Sequence, residues 1–91
     1  MSVTVRVPTQ LRSLTDESKE VSAPAGALRE VIDSLESVHP GIKARILDDD
    51  NRLRRFVTLF VDDEDVRLLG GLETVVNDDQ TLSIVPSVAG G

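Results

Sequence analysis

Leu28, Val31, Ile32, Leu35 and Val38 recur at spacings of three and four, while Arg29, Glu30, Asp33 and Glu36 fall on the opposite side. This is the pattern of one amphipathic helix. It begins after Pro24 and is expected to stop near His39. Pro40 disfavours helical geometry in the residue before it, and Gly41 readily takes the positive φ of a turn. Ile42 and Ile46 extend the apolar stripe. Such a helix can provide the second layer that a one-faced sheet needs to bury its apolar side.

Strand patterns supply that sheet. Val3, Val5 and Val7 alternate with Thr4 and Arg6 between Ser2 and Pro8, the period of a strand with one face on a core. A turn near Thr9 to Leu14 leads to a short returning strand at Glu20 to Ala23. Asp48 to Arg55 is rich in both charges and reads as an exposed loop. Phe56 to Val61 is the most strand-like run and should be central, with Val57, Leu59 and Val61 toward the helix and a polar turn at Asp62 to Glu64 behind it. Val66 to Val76, which contains Gly70-Gly71, suggests a short edge strand and then a single-turn helical stretch. After a turn at Asn77 to Asp79, Thr81 to Val85 alternates as the last strand, ended by Pro86. The expected fold is therefore α+β, a single-domain β-grasp in which a mixed sheet curls over one main helix. Its bounds are residues 1–86, with a flexible C-terminal tail at 87–91.

Composition narrows the function. A chain of 91 residues buries only about 60 to 65% of its unfolded surface, which argues against a large enzyme cleft. Trp, Tyr and Cys are absent and Phe occurs twice, so the core is aliphatic. The net charge of −6 opposes binding to nucleic acid or an anionic membrane and suits a basic patch on a protein partner. It also suits simple solubility. Without cysteine there is no disulfide, no thiolate metal site and no cysteine persulfide. No leader or membrane span is legible, and a cytoplasmic location is expected.

The chain ends Ser87-Val88-Ala89-Gly90-Gly91. Fully extended, five residues reach roughly 17 Å, enough to enter a neighbouring active site, and two glycines give the narrowest backbone available. A carboxylate is a poor acyl electrophile, so chemistry at Gly91 would need activation, as in an acyl adenylate made by an ATP-using partner. On these grounds alone a reactive end and an inconsequential one weigh equally.

The balance shifts with resemblance. Arg55-Phe56-Val57, Val61, Asp63-Glu64-Asp65-Val66-Arg67, Gly70-Gly71-Leu72, Pro86 and the ending Val88-Ala89-Gly90-Gly91 make the chain similar, over nearly its whole length, to the ubiquitin-like sulfur-carrier family. That family includes the molybdopterin synthase small subunit and the thiazole sulfur carrier, and the likeness is strongest to its cysteine-biosynthesis branch. Asp79 departs from the Asp-Gly turn of relatives, and Asp62 stands where they often carry asparagine. The resemblance implies a protein co-substrate, not an enzyme, with no metal, cofactor or catalytic residue of its own. It implies that Gly91 is adenylated by an ATP-dependent activating enzyme similar to those that start ubiquitin conjugation and converted to a thiocarboxylate. Gly90, Ala89 and Val88 would give the end access to partner active sites. In the cysteine branch the acceptor is a pyridoxal-phosphate cysteine synthase, and a zinc metalloprotease releases the product. Rival readings are a molybdopterin synthase small subunit, a shared carrier for sulfur-containing secondary metabolites, a ubiquitin-like protein modifier and a passive interaction module.

Phe60 should share a sheet face with Thr58, opposite Val57, Leu59 and Val61. With Val85 and Arg6 it would form a small docking patch for the activating enzyme; partial cover by the long loop weighs evenly against this. His39 suits a helix end. The aspartates at 48–50 and the acids at 62–65 lack calcium-loop spacing. Gly70-Gly71 lacks the spacing and lysine of a phosphate loop, and a tight turn explains it better.

Overall fold

A computed structural model describes residues 2–86. Five strands form one mixed sheet: β1 (Ser2–Arg6), β2 (Glu20–Pro24), β4 (Val57–Val61), β5 (Glu64–Asp65) and β7 (Thr81–Pro86), in the order β2-β1-β7-β4-β5. β1 and β7 run parallel at the centre, from Thr4 opposite Thr81 to Arg6 opposite Ser83. Their outer neighbours β2 and β4 are antiparallel to them. Two residues each, β3 (Gly26–Ala27) and β6 (Val75–Val76) pair separately. The expected β-grasp is the observed architecture.

The helix α1 (Leu28–Val38) packs Leu28, Val31, Ile32 and Leu35 into the core, all four essentially inaccessible. They meet Val3, Val5, Leu59, Val61, Leu82 and Ile84, the alternate residues of three strands. Its first turn has no side-chain acceptor at Ala27. The Glu30 carboxylate instead accepts the Ala27 N–H at 3.0 Å, and the Leu28 N–H reaches the Thr74 carbonyl at 2.7 Å, so tertiary structure satisfies groups that a serine or threonine cap would otherwise hold. His39 ends the helix, and Gly41 follows with φ 103°. A second helix, α2 (Ile42–Ile46), buries both isoleucines completely. The Glu36 carboxylate accepts from the Gly41 and Lys43 N–H groups at 3.1 and 2.9 Å. Those bonds, to Lys43 first and then Gly41, hold its pKa below the ordinary glutamate value.

Several expectations need correction. Val38, placed on the apolar stripe, is 70% exposed, because the helix ends there and the following turn redirects the stripe into α2. Phe56 precedes β4 and is exposed. The turn near Thr9 to Leu14 is a 3₁₀ helix over Thr9–Thr15 that buries Leu11. The edge strand lies at Glu64–Asp65, beginning on the last residue of the stretch read as a polar turn, since Asp62 and Asp63 alone link Val61 to its partner Glu64. Within Val66 to Val76 stand two 3₁₀ turns, Val66–Leu68 and Gly71–Glu73, and then β6. Gly71 takes φ 59°, in keeping with a tight turn.

Candidate functional site

The sheet's outer face is built by the same alternation that makes its inner face apolar. Register places Glu20, Arg6, Ser83, Phe60 and Asp65 in one row across all five strands. Val85, opposite Thr58, lies one step along on the same face, toward the end of β7. Phe60, Val85 and Arg6 therefore share a face as expected, with Phe60 and Arg6 separated by one strand, about 10 Å. Arg6 and Val85 are exposed; Phe60 is half-buried. The patch thus has an exposed aliphatic and an exposed cation beside a partly covered ring.

β7 ends at Pro86, which pairs with Val57 at the start of β4. Because β1 is parallel to β7 and β4 antiparallel, the end of β1, the start of β4 and the last described residue converge on one edge of the molecule. The expected roles of Val88, Ala89, Gly90 and Gly91 lie outside the described residues. Their point of departure is Pro86, paired with Val57.

Residues that pattern reading did not single out build this edge. The Arg67 guanidinium donates from Nη2 to the carbonyls of Arg54 at 2.7 Å and Val57 at 2.9 Å, and the Asp65 carboxylate accepts the Arg67 N–H at 2.8 Å. Arg67 so ties the long loop to the strand beside Pro86. Arg54 donates from Nε to the Ala44 carbonyl at 2.8 Å, anchoring the same loop to α2. The Asp48 carboxylate accepts the N–H groups of Asp50 and Arg52 at 2.8 and 3.0 Å. The Arg52 bond is the largest cause of its lowered pKa. Phe56, Val57, Arg54, Arg55 and Asp48 line a shallow cleft at this edge, and Arg6, Arg12, Lys19, Glu20 and Val85 line a wider groove on the other side of β7. The only signal for Arg67 in the sequence was its place in the run from Asp63, which carries family likeness but no spacing rule.

At the opposite edge, Asp62 takes φ 54°. Its Oδ1 accepts the Thr81 N–H at 3.1 Å and its Oδ2 the Gln80 side-chain amide at 3.2 Å, fixing the β4–β5 turn to the start of β7. Asp79 has no positive φ. The turn closes through the Gln80 N–H to the Asn77 carbonyl and the Asn77 N–H to Gln80 Oε1, at 3.0 and 2.9 Å, so this sequence does not need glycine there. Among the described residues no group of His, Cys, Asp and Glu is arranged to hold a metal, and no helix is long and apolar enough to cross a membrane.

The ThiS family model matches residues 5–91. The sulfur carrier protein CysO of Mycobacterium tuberculosis is 46% identical over 93 residues, with all of both chains covered. Among solved structures, the BexX/CysO complex of Amycolatopsis orientalis superposes with a TM-score of 0.91 at 50% identity, covering 98% of this chain and 99% of that one. Small archaeal modifier protein 1 of Methanosarcina acetivorans superposes with a TM-score of 0.85 at 25% identity, covering 99% and 96%. Fold, length and sequence agree along the whole chain: it belongs to the ThiS family.

Proposed function

We propose that the chain is a sulfur carrier whose C-terminal Gly91 is adenylated by an ATP-dependent activating enzyme and converted to a thiocarboxylate, which donates sulfur for cysteine biosynthesis. The observation that carries this reading is full-length likeness to a protein named as a sulfur carrier, joined to a central strand that ends at Pro86, five residues before Gly91.

The chemistry is divided between proteins. A carboxylate resists attack by sulfur because its charge is delocalised and oxide is a poor leaving group; adenylation converts that oxygen into part of a good one. The chain supplies the acyl group and a narrow arm. Gly90, Ala89 and Val88 carry the end into the partner's site, and the outer-face patch of Phe60, Val85 and Arg6 holds the body outside. The acceptor is a pyridoxal-phosphate cysteine synthase, with a zinc metalloprotease releasing the product, and the exchange runs in the cytoplasm where ATP is available. The chain itself catalyses no step.

The absence of cysteine makes the test clean. After incubation with the activating enzyme, ATP and a sulfur source, a thiol-alkylating reagent should modify the chain once, and deletion of Gly90 and Gly91 should abolish the modification. No alkylation of the full chain would overturn the reading. Copurification with a molybdopterin synthase large subunit instead of a cysteine synthase would move the acceptor while leaving the carrier chemistry in place.

A second reading has its own support in the likeness to the small archaeal modifier protein: attachment of Gly91 to lysines of other proteins. It predicts isopeptide-linked adducts, which a pure carrier does not form.

A further inference from the structure

Charge is distributed unevenly between the two edges of the sheet. At the edge away from Pro86, the β4–β5 and β6–β7 turns carry Asp62, Asp63, Glu64, Asp78 and Asp79 with no lysine or arginine among residues 61–66 or 74–83. Toward the Pro86 edge, the groove on one side of β7 is lined by Arg12 and Lys19; Arg6 and Glu20, level with Ser83, line it too but also border a further hollow with Asp62 and Asp63. The cleft on the other side is lined by Arg54 and Arg55 against Asp48, whose carboxylate is occupied by backbone N–H groups. Other acids of this edge, Asp16, Glu17, Asp49 and Asp50, line neither depression. The ion pairs found among the described residues, Arg29–Glu73 and Lys43–Asp33, lie elsewhere.

From this arrangement we infer that the cations flanking the root of the tail form a docking collar, and that it seats against an acidic rim around the tail-receiving entrance of the activating partner. The inference rests on the carrier reading given above and adds the chemistry of the partner surface. A uniformly acidic protein would be drawn to a basic partner in any orientation. This chain is polar: an acidic rim repels the far turns and attracts the collar, so the molecule arrives tail first. Orientation during encounter is where such a field acts, raising association rates and fading as salt screens it. Lys19 and Arg55 are both exposed, and neither side chain makes a hydrogen bond among the described residues. They are free to meet a partner and can be exchanged without dismantling the edge.

The sign of the response separates the collar from the overall negative charge. Lys19→Glu/Arg55→Glu makes the protein more acidic, and Asp63→Lys/Asp78→Lys makes it less so by the same amount. Association of each variant with the activating enzyme is measured by stopped flow at low and high ionic strength, alongside sulfur loading at saturating carrier. The collar predicts that the Lys19/Arg55 variant associates about tenfold or more slowly at low salt, that the gap closes at high salt, and that loading at saturation is retained. The aspartate variant should associate at an unchanged or faster rate. Faster association of the Lys19/Arg55 variant with slower association of the aspartate variant would overturn the collar and assign a basic partner surface; equal rates for all three would overturn it as well. If the unmodified chain is not loaded at all, the carrier reading fails instead, which is a different result from normal loading with insensitive rates.

Discussion

The two faces of one sheet differ more than any two elements of the molecule. On the inner face Val3, Val5, Leu59, Val61, Leu82 and Ile84 are buried against α1. On the outer face the intervening residues are Thr4, Arg6, Thr58, Phe60, Ser83 and Val85, none of them fully buried. The same backbone hydrogen bonds serve both. Stability therefore depends on one set of side chains, and the other set is available for recognition without compromising the core, a separation that a period of two residues imposes automatically.

The largest effect on that contrast should come from its inner side. Leu59→Ala removes a fully buried side chain at the centre of the core and should cost about 2–5 kcal/mol of unfolding free energy, measured by urea denaturation, while folded protein keeps its outer-face contacts. Next comes the edge where the faces meet the tail. Arg67→Ala removes two bonds from a charged donor and should cost about 1–3 kcal/mol; amide exchange should rise first in the loop before Val57. Phe60→Ala should cost only about 1 kcal/mol, since the ring is half-buried, yet it should slow sulfur loading. Unchanged loading kinetics would remove Phe60 from the docking face and break the proposed division of labour.

The smallest effect is one of pH. Glu36 has a folded-state pKa lowered by the N–H groups of Lys43 and Gly41. Its contribution is present above the ordinary glutamate value and is lost as pH falls through the folded value. Asp48 acts in the same direction. Thermal unfolding midpoints should therefore decline on acidification below about pH 4.5, with a shallower decline for Glu36→Gln.

How much of this could be read from the sequence follows from the same contrast. Period-two and period-three-to-four patterns report burial, so Val3, Val5, Leu28, Val31, Ile32 and Leu35 were legible, and the alternation that put Leu59 inside put Phe60 outside. Patterns fail where backbone bonds, not burial, decide. β3 and β6 are two residues each and exist because Gly26–Ala27 and Val75–Val76 find each other across nearly fifty residues. β5 is made of Glu64 and Asp65, poor strand formers that pair because a two-residue turn leaves them nowhere else to go. The candidate edge was half legible: Arg6 and Val85 followed from strand phase, whereas Arg67 acts through carbonyls ten and thirteen residues earlier, a relation no local pattern encodes.

The central claim, sulfur carried at the terminal carboxyl, is tested most directly by intact-mass spectrometry with fragmentation after incubation with the activating enzyme, ATP and a sulfur source. The account predicts a single oxygen-to-sulfur exchange that fragments localise to Gly91. An unchanged mass in the presence of an enzyme that loads a related carrier, or sulfur found anywhere else in the chain, would contradict it.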